Sequence, residues 1–144
     1  MRNARACIAA AALLAAFQSA VAEDKSALVS WETLSKVSIT RQKDRYVPEF
    51  STEIAALDKR EVKLKGFMLP LEPGLAQKRF LLLAQPPDCG FCMPGGPEQI
   101  AEVLAKVPAK LPSDAIIVSG TFSLLRDDPG GLLYRLTDAL IVNK

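Results

Sequence analysis

Two-residue alternation of apolar and polar side chains is the strongest constraint this chain places on its own fold. Ile116, Val118, Gly120, Phe122 and Leu124 alternate with Ser119, Thr121 and Ser123. That period sends apolar groups to one face of a strand and polar groups to the other. Val62, Leu64, Gly66 and Met68 repeat the pattern against Lys63, Lys65, Phe67 and Leu69, and Pro70 ends the segment. Phe80 to Ala84 is apolar throughout, as expected of a strand buried on both faces. Arg126-Asp127-Asp128-Pro129-Gly130-Gly131 has the composition of a hairpin loop, and Leu132, Tyr134 and Leu136 begin the return strand. The phase blurs near Asp138, which predicts a bulge or a bend. Glu98 to Val107 reads two ways. Ile100, Val103, Leu104 and Val107 make a helical stripe, whereas Ala101, Val103, Ala105 and Val107 make a strand face. Helix propensity favours the first.

About five strands with little helix between them predict a mainly β domain over residues 61–144. The expected architecture is an OB-like five-stranded β-barrel, with a compact sandwich as the other solution. Gly66 and Gly120 fall inside strands, where a barrel bends or backbones approach closely. Residues 23–60 are expected to be an N-terminal extension with short helical segments. Trp31 and Leu34 follow Ser30, a helix cap, and Ser51-Thr52-Glu53-Ile54-Ala55-Ala56-Leu57 reads as a second short helix.

Residues 1–22 carry the three parts of a cleaved Sec signal peptide. Arg2 and Arg5 are the positive start, Cys7 to Phe17 is a short apolar run, and Ala20-Val21-Ala22 is a small-x-small cleavage site. The separated arginines argue against a twin-arginine route. Cys7 stands at the head of the apolar run, which argues against a lipid anchor. No later segment approaches the roughly 20 apolar residues of a membrane span. The expected location is therefore the periplasm. Cleavage would leave 122 residues with 16 basic and 16 acidic side chains. A neutral domain without a basic run argues against nucleic-acid or polybasic membrane binding.

Candidate chemistry centres on Cys89-Gly90-Phe91-Cys92, because the chain has no histidine. That removes the usual general base and the commonest metal ligand. Two thiols at this spacing can form a disulfide, exchange one, or hold zinc or copper. Asp88, Glu98 or Glu72 could add oxygen ligands, and Met93 or Met68 a thioether, although Met68 lies on the apolar phase of its strand. A thioredoxin-like site needs a helix starting at the motif, and Met93-Pro94-Gly95-Gly96-Pro97 opposes one. The remaining candidates are weaker. Asp127-Asp128 before Pro-Gly is turn chemistry. Lys59, Arg60, Lys63 and Lys65 form a small wet basic patch.

Several of these segments together resemble the DUF3299 family of exported bacterial proteins of unknown function. They are Trp31-Glu32-Thr33-Leu34, Val62 to Glu72, Phe80 to Leu83, Cys89 to Ile100, Val118-Ser119-Gly120 and Gly131 to Leu136. The resemblance implies a small OB-like barrel in which Gln99 to Leu104 is strand, against propensity. It also implies an association of some relatives with an ABC-type export system and zinc-responsive periplasmic proteins. The family pattern is Cys-x-His, a proline run, then Asn-Gln. Here Cys89 matches the cysteine, Phe91 stands at the histidine, Cys92 is additional, and Glu98-Gln99 replaces Asn-Gln.

The functional expectation is a non-enzymatic periplasmic accessory or binding module. Its Cys89/Cys92 loop would be a structural disulfide or a contact for zinc, copper or a partner, such as an exported protein or an ABC-type transporter component. Phe91, Met93, Pro94, Pro70 and Glu72 are expected beside it in a partner-contact surface at one end of the barrel. The alternative is a periplasmic thiol-disulfide oxidoreductase or redox relay.

Overall fold

A computed structural model of the chain describes residues 26–87 and 95–142. The expected signal peptide and the Cys89/Cys92 pair lie outside the described residues. Eight strands form: β1 (Ala27–Val29), β2 (Val37–Gln42), β3 (Arg45–Phe50), β4 (Glu61–Pro70), β5 (Ala76–Leu83), β6 (Ile100–Lys110), β7 (Ile116–Leu124) and β8 (Tyr134–Ile141). Two one-turn helices, α1 (Trp31–Leu34) and α2 (Thr52–Ala55), and a 3-10 turn at Pro97–Gln99 are the other elements among the described residues. Among the described residues, no helix is long and apolar enough to cross a membrane.

Five strands close into a barrel in the order β4-β5-β6-β8-β7, with β7 returning to β4. All neighbours are antiparallel except β6 and β8. The inner rows are those the alternation predicts: Val62, Leu64 and Met68 on β4, and Ile116, Val118 and Phe122 on β7, are all buried.

Within the barrel, strand β4 serves two neighbours. Glu61 to Gly66 pair with β7, and Phe67 to Pro70 pair with β5. Gly66 stands at the changeover, where an added Cβ would lie against the Leu83 carbonyl oxygen and 2.9 Å from Leu82 Cγ. A backbone oxygen cannot turn aside as a side chain can. We expect Gly66→Val to lose about 2–3 kcal/mol in urea unfolding, the upper part of the overpacking range. Lys65→Val, exposed on the same strand, should stay within about 0.5 kcal/mol of the parent.

The bulge predicted near Asp138 is present. Asp138 has φ of 50°, and the registers of β8 with both β6 and β7 shift around it. Residues 100–110 form a strand, as the family resemblance implied for Gln99 to Leu104 and helix propensity opposed, with Gln99 itself in the 3-10 turn. β6 is paired on both edges, to β5 and to β8, and that tertiary pairing overrides the local preference.

Residues 26–60 run partly as expected. Ser30 caps α1, its Oγ accepting from the Thr33 N–H at 3.1 Å, and Ser51 caps α2 through the Ile54 N–H at 3.3 Å. Each helix buries one apolar residue completely, Leu34 and Ile54. β1 runs parallel to Val62–Leu64 of β4. The β2–β3 hairpin was not expected. It stands as its own two-stranded sheet, largely exposed on both faces. Pro48 is tolerated within it because each strand has an unpaired edge.

Candidate functional site

The cysteine segment belongs to the connection from β5 to β6. Its base is tied by Ala84, whose N–H donates to the Gln99 carbonyl at 3.0 Å, and by the Gln99 N–H, which donates to the Gly96 carbonyl at 3.0 Å. Gly95 has φ of 83°, a left-handed conformation suited to glycine. Pro97 then opens a single 3-10 turn that passes directly into β6. The turn packs near α1. Asp88, Cys89, Phe91, Cys92, Met93 and Pro94 lie outside the described residues. Of the sequence-predicted site residues, Glu98, Pro70 and Glu72 can be placed.

Glu98 sits in the 3-10 turn, half-buried, at the foot of the cysteine loop. Its charge reaches Tyr134, a fully buried residue at the start of β8. The Tyr134 ring lies 5.5 Å from that of Phe122 and 6.0 Å from that of Phe50. Its hydroxyl donates to the Leu34 carbonyl at 2.5 Å. Burial, and secondarily the negative charge of Glu98, push the phenol well above its ordinary value of 10.0.

Pro70 is the last residue of β4, and Glu72 follows it. They lie where β4 turns into β5, whereas the cysteine loop leaves the far end of β5. Pro70 pairs with Phe80 and so stands three residues, roughly 10 Å, along β5 from Leu83, whereas Glu72 is bonded to Gln77 near the start of β5. Glu72 belongs to a turn stapled by buried Gln77, whose Nε2 donates to the carbonyls of Glu72 at 2.8 Å and Gly74 at 3.0 Å. Met68 is a core residue, 7% exposed. The loop that does share the cysteine end is 125–133, between β7 and β8. There Asp128 Oδ2 accepts from the N–H groups of Gly130 at 2.9 Å and Leu132 at 3.2 Å, the turn role expected of it.

Sequence reasoning missed a cluster on the outer face of β5 and β6. Leu81, Leu83 and Ile100 point away from the barrel interior yet are buried, with Leu69 and Leu132 packed against them. Beside them the Glu102 side chain is 2% exposed and paired twice. It accepts from Arg79 Nε at 2.7 Å and from Arg135 Nε, and Arg135 Nη2 continues to Asp128 Oδ1 at 3.7 Å. The network joins β5, β6, β8 and the 125–133 loop. In OB folds this strand face carries oligonucleotides. Here Arg79 and Arg135 on that face are both paired to Glu102. A lone acid among Ile100, Ala101, Val103 and Leu104 was the one signal available. Among the described residues, no three His, Cys, Asp or Glu side chains converge as a metal site.

The described strands define a class of protein, the small closed β-barrel with OB-type strand order. No family model and no curated protein matches the sequence. Among solved structures, the chain is similar to the crystal structure of a DUF3299 family protein from Pseudomonas aeruginosa PAO1. The TM-score is 0.52 with 23% sequence identity, over 67% of this chain and 68% of that one. The shared fold is the one the sequence resemblance implied.

Proposed function

We propose that the chain is an exported, non-enzymatic binding module of the DUF3299 type, and that the Cys89/Cys92 loop is its contact site. The observation that carries this reading is the frame of that loop. Its base is closed by the Ala84–Gln99 hydrogen bond, and its exit is a one-turn 3-10 helix running straight into a barrel strand. A thiol lowered for redox turnover takes its activation from a helix that follows the motif. A 3-10 turn of three residues, Pro97–Gln99, offers no such dipole. A constrained dithiol with Glu98 at its foot suits a soft metal or a partner contact better. The metal-handling and export settings of the resemblance fit the same role. The oxidised form of the pair would be a staple of the loop.

The test is metal titration of the reduced mature protein, read by native mass spectrometry. One zinc or Cu(I) ion per chain is expected, with binding at least tenfold weaker in the Cys89→Ser, Cys92→Ser variant. Equal binding by the variant removes the metal contact. A trapped mixed disulfide through Cys89, with a reduction potential in the oxidoreductase range, would establish the redox relay instead.

A further inference from the structure

The barrel end where β6 runs into β7 carries a half-open pocket of about 390 Å³. It runs along the inner row of β6, where Ala105 and Ala109 occupy positions that larger side chains would fill. Phe80, Val103, Ile116 and Val118 form its floor. Among the described residues that line it, Lys110 alone carries a charge. Lys110 forms no ion pair with any described residue. The mouth is rimmed by Val107, Leu111 and Leu140, which are 58%, 44% and 43% exposed. Large apolar side chains gathered around a concave apolar space mark a binding surface, whereas scattered ones do not.

We propose that this mouth binds an amphiphile with a single hydrocarbon tail and an anionic head. The tail enters the barrel beside Ala105, and the head pairs with Lys110. A concave pocket lined mainly by apolar side chains with one charged group is the usual form of a small-molecule site. At the roughly 30 Å³ that a water molecule occupies in the liquid, the space holds about a dozen such groups, which fits an alkyl tail of medium length. A guest that is apolar throughout would leave the Lys110 charge without a counterpart at the rim. A cationic head would be repelled by it. The proposal is independent of the function proposed for the cysteine loop.

Decanoate and decyltrimethylammonium, which share a tail and differ in head charge, are the probes, titrated calorimetrically below their micelle thresholds. One decanoate per chain is expected, bound at least tenfold more tightly than the cation. Ala105→Trp should abolish binding of both. Lys110→Glu should weaken decanoate at least tenfold and reverse the preference, while Lys106→Glu on the same strand should change neither. Thermal unfolding of each variant separates lost binding from lost fold, and Lys110→Glu tests the head contact without touching the core. Absence of saturable decanoate binding would overturn the proposal. So would equal affinity for the two probes, or a stable dimer that occludes the mouth.

Discussion

A variant that begins at Leu57 loses cooperative folding. It keeps the groups that join the start of β4 to β7: the Lys59 N–H bonded to the Phe122 carbonyl at 2.8 Å, and Asp58 Oδ1 accepting from the Leu124 N–H at 3.0 Å. It lacks β1, both short helices and the hairpin. Val29, Leu34 and Ile54 all belong to the main core cluster. At about 1.5–3 kcal/mol for each buried aliphatic side chain, their loss amounts to roughly 5–9 kcal/mol, against a total stability of about 5–15 kcal/mol for a domain. The exposed end of the barrel would also lose the Trp31 Nε1 donor, 2.7 Å from the Lys65 carbonyl, and the Leu34 carbonyl that accepts from Tyr134. Urea unfolding followed by circular dichroism should show no sigmoidal transition, and the near-ultraviolet signal should be lost. A cooperative transition with its midpoint near that of the parent would make residues 26–56 a separable attachment.

That dependence explains how far the sequence could be read. Strands β4 and β7 were legible because one face of each meets the dry barrel interior and the other is wetter, so period two survives in the residues. β6 hides its period because both faces are covered at its start: Ala101 and Val103 point inward, and Ile100 and Glu102 are buried outside. Only a resemblance to whole relatives could choose strand over helix there. The β2–β3 hairpin is obscured for the opposite reason. It is wet on both sides, and Ser38, Thr40, Arg41 and Gln42 give it no apolar row to recognise. Caps were readable because they are local: a serine three residues before the N–H that it accepts from. Glu102 was not, because its partners Arg79 and Arg135 come from other strands, 23 and 33 residues away. Pro70 was legible as the end of β4, because proline lacks the N–H that a strand ladder needs.

Tyr134→Ala is the single substitution with the largest expected cost. It empties a fully buried ring position between Phe50 and Phe122 and should lose about 3–5 kcal/mol. Tyr134→Phe keeps the ring and removes only the donor to the Leu34 carbonyl, for about 1–3 kcal/mol. The two variants therefore separate packing from the hydrogen bond that holds α1 on the barrel. A pH profile isolates the phenol. Because the folded state raises its pKa above the ordinary 10.0, the folded chain retains a proton that the unfolded chain releases. The stability this group contributes is fully present below pH 10 and declines as pH rises beyond it toward the folded value. The parent should thus lose stability above pH 10 more steeply than Tyr134→Phe, and subtracting one curve from the other cancels the lysines and Tyr46 common to both. Glu98→Gln supplies the sign check. Removing that negative charge makes the phenolate less unfavourable and lowers the folded pKa, so the alkaline loss should end at a lower pH. Identical slopes for the parent and Tyr134→Phe would mean that the buried phenol does not govern alkaline unfolding.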